Sequence, residues 1–376
     1  MNLLDRIRRF VDSPGARLVE PPALSVSEYV ASFPAHWQMT HAATPLEWPP
    51  PRRIGSRQLR AEFDLPMESA EQGLLSIDGG RVFGVHGWVL GVNGAVLPEL
   101  SWYGAPNPRI VLPSTLPPPR RLAGTCLSLV SDWSCRNYAH FLLDALGRLA
   151  VLEEAGVGFS EVDYIYCPTP PSPGAADLLD RFGIPPAKRI FATPELLLFP
   201  ELLLVPSLPA TARTYPAWLR AFLRRVVRSG SEPSDERRLY VSRQGFERRA
   251  HSEPELENVV RKHGFEVYTP GRRLTQPEDF AEATFIVGAH GAGLANLAFC
   301  RPGTPVLEIV PTDHARPYYY SLAVAGGLDY AYIVGQSVND RPLEAFGPSP
   351  YDFELEVEEL AAALDGWNGK SDASLS

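Results

Sequence analysis

Apolar residues recur with two different periods along this chain, and the switching between them is the main clue to its architecture. From residue 124 onward, short apolar runs of strand type trade places with segments whose apolar positions return every three or four residues. Residues 125–130 read as a strand and 137–154 as a helix ended by Gly156. Strands at 162–167, 189–191 and 202–205 follow, with helices at 175–182 and 216–227. Residues 229–237 carry no large apolar side chain and read as a linker. A second alternation places strands at 239–242, 265–268, 285–287, 305–310 and 330–334. Its helices fall at 253–263, 276–283, 292–299 and 318–325, with a last, acidic one at 353–365. Pro254 suits a first helical turn and Thr275 a cap.

Strands alternating with helices imply parallel sheets covered by helices. The expected class is therefore α/β, with two doubly wound halves. Ligands in such sheets sit at the carboxyl ends of the strands, so the cleft between two halves is the expected site. Upstream, residues 73–103 read as a β-meander with turns at Gly79-Gly80 and Asn93-Gly94, a small antiparallel addition to the main fold. Residues 1–70 look irregular and proline-rich. The predicted division is an N-terminal extension at 1–120, a first α/β domain at 121–230, a second at 231–365 and a loose tail at 366–376.

Composition narrows the class. The 376 residues, 45% hydrophobic and 21% charged, can bury a core without staples. A net charge of −9 argues against a nucleic-acid binder, yet leaves room for a small basic pocket. Cys126, Cys135, Cys167 and Cys300 form no CxxC pair and match no zinc spacing, so four reduced thiols are expected. No signal-peptide core and no spanning helix are expected. Leu3, Leu4, Ile7 and Phe10 share one helical face beside Arg6, Arg8 and Arg9. That pattern suits a short docking helix or peripheral association with a membrane surface.

Four stretches carry candidate chemistry. The first, Val287-Gly288-Ala289-His290-Gly291-Ala292-Gly293-Leu294-Ala295-Asn296, lies between a buried-type strand and a helix. Its small residues let a ligand approach the backbone, and the helix start offers free N–H groups to a phosphate. The order is neither that of a dinucleotide-binding turn nor that of a Walker loop. A tight turn without ligand fits the same glycines. The second, 302–309, ends a buried strand with Glu308, an acid that needs partners. A ribose or an arginine would serve. The third is Tyr240-Val241-Ser242-Arg243, with Arg249 six residues further on. Two guanidinium groups there could clamp a diphosphate, whereas Arg248 reads as solvated. In the fourth, Asn137, His140, Asp144 and Arg148 are spaced 3, 4 and 4 and share one face of an otherwise apolar helix. They read as a surface stripe with an Asp144–Arg148 pair, or as a His–carboxylate pair able to take a proton from a hydroxyl.

Together these residues resemble glycosyltransferase family 61. The family pattern is an Asn-x-x-His-x-x-x-Asp helix, a Ser-Arg strand end, and Gly-Ala-His-Gly-Ala-Gly-Leu-x-Asn followed by Pro-Gly-x-x-Val-x-Glu. All three occur in order at 137–144, 240–243 and 288–308, and the likeness covers about 120–340. It implies a GT-B architecture of two Rossmann-like domains, inversion at the anomeric carbon, and neither a metal nor another cofactor. It also implies a UDP-linked sugar donor, a glycan or glycoconjugate acceptor, and a bacterial, cytoplasmic enzyme of capsule or surface-polysaccharide synthesis, with the inner membrane surface as a further location. On this basis Arg243, Arg249, His290, Gly291, Ala292, Gly293 and Glu308 are expected at the donor, Glu308 on its ribose. Asp144 or His140 is expected as base, Asp144 being favoured with His140 as its positioning partner, and Asn137 and Arg148 are expected at the acceptor. A non-catalytic polysaccharide-binding protein on the same fold and a Rossmann enzyme that modifies nucleotide sugars are the competing classes. The oligomeric state is not legible.

Overall fold

The computed structural model describes residues 18–101, 112–208, 214–228, 237–246, 248–338 and 352–373. The predicted docking helix near the N-terminus and most of the 229–237 linker lie outside these residues. The chain forms two compact units, one of 1–45 and 68–212, the other of 46–67 and 213–376.

The first unit is built on an eight-stranded sheet. Its strands are β1 (Ala35–His41), β2 (Gln72–Asp78), β3 (Arg81–Phe83), β4 (Trp88–Leu90), β5 (Arg120–Ser128), β6 (Tyr164–Cys167), β7 (Arg189–Phe191) and β8 (Leu197–Ser207). The main path runs β7-β6-β5-β8-β2-β1, with β3 pairing both β8 and β4. The first four of these strands are mutually parallel, and β2, β1, β3 and β4 join antiparallel. Strand order reverses at β5, whose neighbours are the next strand in sequence on one side and β8 on the other.

The meander is therefore not a separate addition. Leu202 to Ser207 of β8 pair residue by residue with Asp78 to Gly73 of β2, so it extends the parallel sheet and shares its core. The stretch expected to be irregular supplies the edge strand β1 and a further short strand, Arg52–Ile54. That short strand pairs parallel with the second unit's sheet. The predicted 1–120 extension is thus split between the two units.

The second unit carries β9 (Arg238–Val241), β10 (Phe265–Tyr268), β11 (Phe285–Ala289), β12 (Pro305–Pro311), β13 (Asp329–Ser337) and β14 (Phe353–Glu354). Their order is β10-β9-β11-β12-β13-β14, parallel throughout except for β14. Every residue of β11 is buried, as expected of a parallel strand covered on both faces. Helices α1 (Glu253–Lys262), α2 (Gln276–Glu282) and α3 (Tyr318–Ala325) fall where the periodicity predicts them. The last helix, α4 (Val357–Ala373), runs beyond the predicted end at 365. Trp367 explains the extension: it is buried in the core with its ring 4.9 Å from that of Phe285, so residues 366–373 are not a loose tail.

Candidate functional site

The second sheet changes direction of strand order between β9 and β11, the position at which open α/β sheets bind ligands. Val241 and Gly288 stand opposite each other there. The chain leaving β9 is pinned from below by α1. Oε1 of the buried Glu253 accepts hydrogen bonds from the Tyr240 hydroxyl, the Ser242 hydroxyl and the Arg243 N–H, each at 3.1 Å. Glu257, one turn on, accepts a second contact from Ser242 at 3.1 Å. The Tyr-x-Ser-Arg motif is thereby explained: tyrosine and serine anchor the backbone that presents Arg243.

The glycine turn is shaped around the protein's own side chains. A Cβ on Gly291 would coincide with the Arg243 guanidinium. Gly291 has extended backbone, so this close approach and not its dihedral angles calls for glycine. A Cβ on Gly293 would lie 2.6 Å from Pro270, and one on Gly288 2.9 Å from Val241. The segment that follows, Ala292–Phe299, is a 3₁₀ helix, not an α-helix. Asn296 closes its first turn by donating to the Gly293 carbonyl at 2.9 Å.

His290 and Glu308 form a buried pair. Nδ1 of His290 lies 2.6 Å from Glu308 Oε1, and the Tyr330 hydroxyl donates to Oε2 at 2.6 Å. Glu308 is 0% exposed and both its oxygens are partnered within the protein, which corrects the expected ribose contact. Burial pushes the Glu308 carboxyl up to about 8. Burial, reinforced by Arg248, Arg243 and Arg316, holds His290 well below its ordinary value and therefore neutral. His314, from the segment after β12, packs edge-on against His290 with ring centroids 4.8 Å apart. Its Nε2 lies 2.7 Å from an Arg248 nitrogen. Since a guanidinium only donates, that ring is a neutral acceptor, and burial pushes it in the same direction.

Arg248, read from sequence as solvated, thus belongs to the cluster, whereas Arg249 does not show the expected partnership with Arg243. Arg249 is half exposed and lies against Asp352, its N–H 3.2 Å and its guanidinium 3.7 Å from that carboxylate. Arg248 adopts φ +60, which turns the chain between the two arginines. His314, Glu253 and Glu257 also escaped the sequence reading. The position of His314 just past a parallel strand, and the four-residue spacing of the two glutamates on one helix face, were the available signals.

In the first unit the candidate helix follows β5, at the reversal of strand order. It is not uniformly α-helical. His140–Leu146 is wound as a π-helix and Arg148–Glu154 as an α-helix. Such π segments are rare and concentrate at functional sites. Nδ1 of His140 hydrogen-bonds Asp144 Oδ2. The Asp144–Arg148 pair of the surface-stripe alternative does not form: the hydrogen bond of Asp144 is to His140. Arg148 is buried and donates to the Leu100 carbonyl, and burial lowers it to about 10 in spite of Asp144. Asn137 caps the helix, its Oδ1 accepting from the Ala139 N–H at 2.9 Å. Neither therefore has the expected acceptor-facing geometry. The side chain of Asp144 is 2% exposed and that of His140 14%, so the accessible member of the pair is the histidine. The four-residue stripe reduces to one His–carboxylate pair.

Among the described residues, no three of His, Cys, Asp and Glu converge as a metal-binding group, and no helix is long and apolar enough to cross a membrane. Residues 138–307 match the model of the family described as glycosyltransferase 61. A 49-residue stretch is 39% identical to the beta-1,2-xylosyltransferase of Arabidopsis thaliana, covering 13% of this chain and 9% of that protein. A stretch of the same length is 41% identical to beta-1,2-xylosyltransferase RCN11 of Oryza sativa subsp. japonica, with the same 13% and 9% coverage. The chain thus spans about a tenth of the length of these relatives. A solved structure, the iron-containing dodecameric glycosyltransferase TibC of enterotoxigenic E. coli, is similar over 88% of this chain and 100% of its own, at 10% identity and a TM-score of 0.31. The matched segment contains the π-helical His–Asp pair, the anchored arginine and the glycine turn, and over it the chain is similar to the glycosyltransferase 61 family.

Proposed function

We propose that the protein is an inverting glycosyltransferase that moves a sugar from a nucleotide-sugar donor, UDP-linked, to a hydroxyl of a glycan or glycoconjugate. The observation that carries this reading is the cationic cluster at the switch point of the second sheet. Arg243 is fixed by Glu253 and seated on Gly291. Arg248 bonds His314, and Arg316 adds its charge close to both histidines. Such a preorganised set of donors matches a diphosphate leaving group, and stabilising developing charge is commonly the largest catalytic contribution. The neutral state of His290 and His314 leaves the arginines as the charge carriers.

The first unit supplies proton transfer. With Nδ1–H directed at Asp144, His140 has its lone pair on Nε2, and the carboxylate stabilises the imidazolium that forms. The acceptor oxygen forms its bond to the anomeric carbon as its proton passes to His140. The bond from that carbon to the diphosphate oxygen breaks with its electron pair kept on that oxygen, whose negative charge the arginines stabilise. A single displacement of this kind inverts the centre. The base is thus His140, with Asp144 orienting it, the second of the two assignments left open by the sequence. The reading needs no metal. It places the two Rossmann-like units in a GT-B enzyme of bacterial surface-polysaccharide synthesis in the cytoplasm.

Calorimetry and donor-hydrolysis assays with a panel of nucleotide sugars test this. Binding of a UDP-sugar with slow hydrolysis is expected. Binding of NADP in its place would support a nucleotide-sugar-modifying oxidoreductase. Glycan binding with no nucleotide binding would support a non-catalytic protein.

A further inference from the structure

Beside the His140–Asp144 pair the first unit buries a cation, Arg148. It is 2% exposed, on a helical segment whose Leu142, Leu143 and Leu146 are fully buried. One of its nitrogens donates to the Leu100 carbonyl, while Nε and Nη1 have no hydrogen-bond partner among the described residues. A single neutral acceptor does not offset the burial of a guanidinium, which is tolerated in a core beside an opposite charge. Asp144 supplies that charge. It lies four residues earlier on the same segment and is equally buried. Its Oδ2 meets His140 and its Oδ1 has no hydrogen-bond partner. Its electrostatic pull on Arg148 opposes the effect of burial there.

A π turn separates the two charges. The Gly147 N–H reaches back five residues to the Leu142 carbonyl at 3.2 Å, and α winding resumes only at Arg148. The regular stacking of residues four apart is thereby interrupted, so the arginine acts on the acid by charge and not by a bond. The elements packed against this segment bring no competing charge to Arg148. On the helix Pro173–Arg181, Asp177 pairs with Arg181, and Asp180 with Arg189. On β2 and β8, Asp78 and Glu201 are exposed. Attraction across an apolar interior is strong, because little solvent screens it.

The ionisation of Asp144 decides which ring nitrogen of His140 carries the hydrogen. A carboxylate can only accept, so Nδ1 must be the donor. A protonated acid would donate to Nδ1, and the ring hydrogen would move to Nε2. Burial by itself favours the protonated acid, and a neighbouring cation opposes that. We propose that Arg148 is a positioning residue: its buried positive charge keeps Asp144 ionised and thereby holds His140 in the Nδ1–H tautomer. This rests on the glycosyltransferase reading only in giving that tautomer a use.

NMR of the full chain at pH 7.5, labelled at histidine and aspartate and free of substrate, tests it. Long-range ¹H–¹⁵N spectra locate the ring hydrogen, and the ¹³C shift of the carboxyl reads its ionisation. His140→Ala and Asp144→Asn assign the signals. The wild-type chain is expected to show an ionised Asp144 and Nδ1–H on His140. Arg148→Gln keeps a donor for Leu100 but no charge. It is expected to take up one proton from solvent on Asp144 and to move the ring hydrogen to Nε2. Arg148→Lys keeps the charge and is expected to retain Nδ1–H. In transfer assays Arg148→Gln should lower kcat about 10²-fold with the donor KM unchanged, and Arg148→Lys should recover most of it. A protonated Asp144 or an Nε2–H tautomer in the wild-type chain overturns the proposal without any variant. Retention of Nδ1–H in Arg148→Gln also overturns it, leaving Arg148 as a link to Leu100. So does an Arg148→Lys chain that behaves like Arg148→Gln. A tautomer that follows the charge in a chain that binds no nucleotide would support the proposal while overturning the transferase reading.

Discussion

His140–Asp144 and His290–Glu308 are the same chemical device in opposite surroundings. In each, a carboxylate oxygen meets Nδ1 of a histidine in the segment that follows a parallel strand. The first pair leaves its histidine partly exposed on a π-helical turn. The second is wholly buried, its acid also bonded to Tyr330 and its histidine facing three arginines. Surroundings, not pairing, therefore decide the role. A reachable imidazole backed by an acid can cycle a proton. A buried one, held neutral among guanidinium groups, fixes geometry and keeps an added cation out of a crowded positive cluster. The only non-glycine residues with positive φ among those described, Trp133 and Arg248, adjoin these two places. Backbone strain thus accompanies both devices.

The largest expected contrast follows from exchanging the damage. His140→Ala should lower transfer by about 10²- to 10⁴-fold with little change in melting temperature or nucleotide affinity. Asp144→Asn should share most of that loss, because the amide no longer stabilises the imidazolium. Glu308→Ala should act the other way round. It strands the Tyr330 hydroxyl and the His290 ring nitrogen in the core, and leaving a buried polar group unsatisfied costs about 1 to 3 kcal/mol, read by chemical denaturation. Equal effects of His140→Ala and Glu308→Ala on both turnover and stability would erase the distinction.

Much of this was legible in the sequence, for identifiable reasons. Buried parallel strands announce themselves as continuous apolar runs, so β11 and β12 and the helical segment between them were placed nearly to the residue. The edge strand β1 was not, although Ala-His-Trp-Gln-Met-Thr alternates apolar and polar residues; the signal is short, and the strand is held by pairing with β2. Motif residues were found because their types are unusual at strand ends. Their orientations were not, because orientation is decided by partners distant in sequence. Glu308 points at His290 and Tyr330, Arg148 at Leu100, and Arg249 at Asp352. The change from α to π winding at His140 has no counterpart in apolar spacing and could not be read at all.

Gly291→Ala is a smaller and sharper probe of the second site. The added methyl group would displace the Arg243 guanidinium without touching the hydrogen bonds that anchor its backbone. UDP or pyrophosphate affinity should fall about tenfold, the loss of one charge-assisted contact. Arg243→Ala should match it, and the double variant should be no worse than either. Additive losses would show that Gly291 serves the ligand directly.

Stability against pH separates the two pairs further. Glu308 is raised to about 8 in the folded chain from an ordinary 4.5, so the folded state holds a proton that the unfolded state has lost. His290 is lowered from 6.5, so it lacks a proton that the unfolded state binds below that value. Between 4.5 and 6.5 the two contributions oppose each other. Above 6.5 only that of Glu308 remains, and stability should fall toward pH 8 with a slope of at most about 1.4 kcal/mol per pH unit. Denaturation midpoints at pH 6.5, 7.25 and 8 measure this. Glu308→Gln should flatten the slope, and an unchanged slope would assign it elsewhere.

The smallest expected effect is also the most discriminating, since it sets neighbouring arginines against each other. Arg249 lies half exposed against Asp352, and exposed ion pairs contribute about 0 to 1 kcal/mol. Arg249→Ala should therefore leave nucleotide affinity within about twofold and stability nearly unchanged. Arg248→Ala removes the group that bonds His314 and bears on His290, so it should weaken nucleotide binding and relax both histidines toward their ordinary protonation. Imidazole resonances followed by NMR titration would show that relaxation as titration nearer 6.5. If Arg249→Ala proved the more damaging of the two, the arrangement expected from spacing alone would be restored and the buried cluster would lose its place at the donor site.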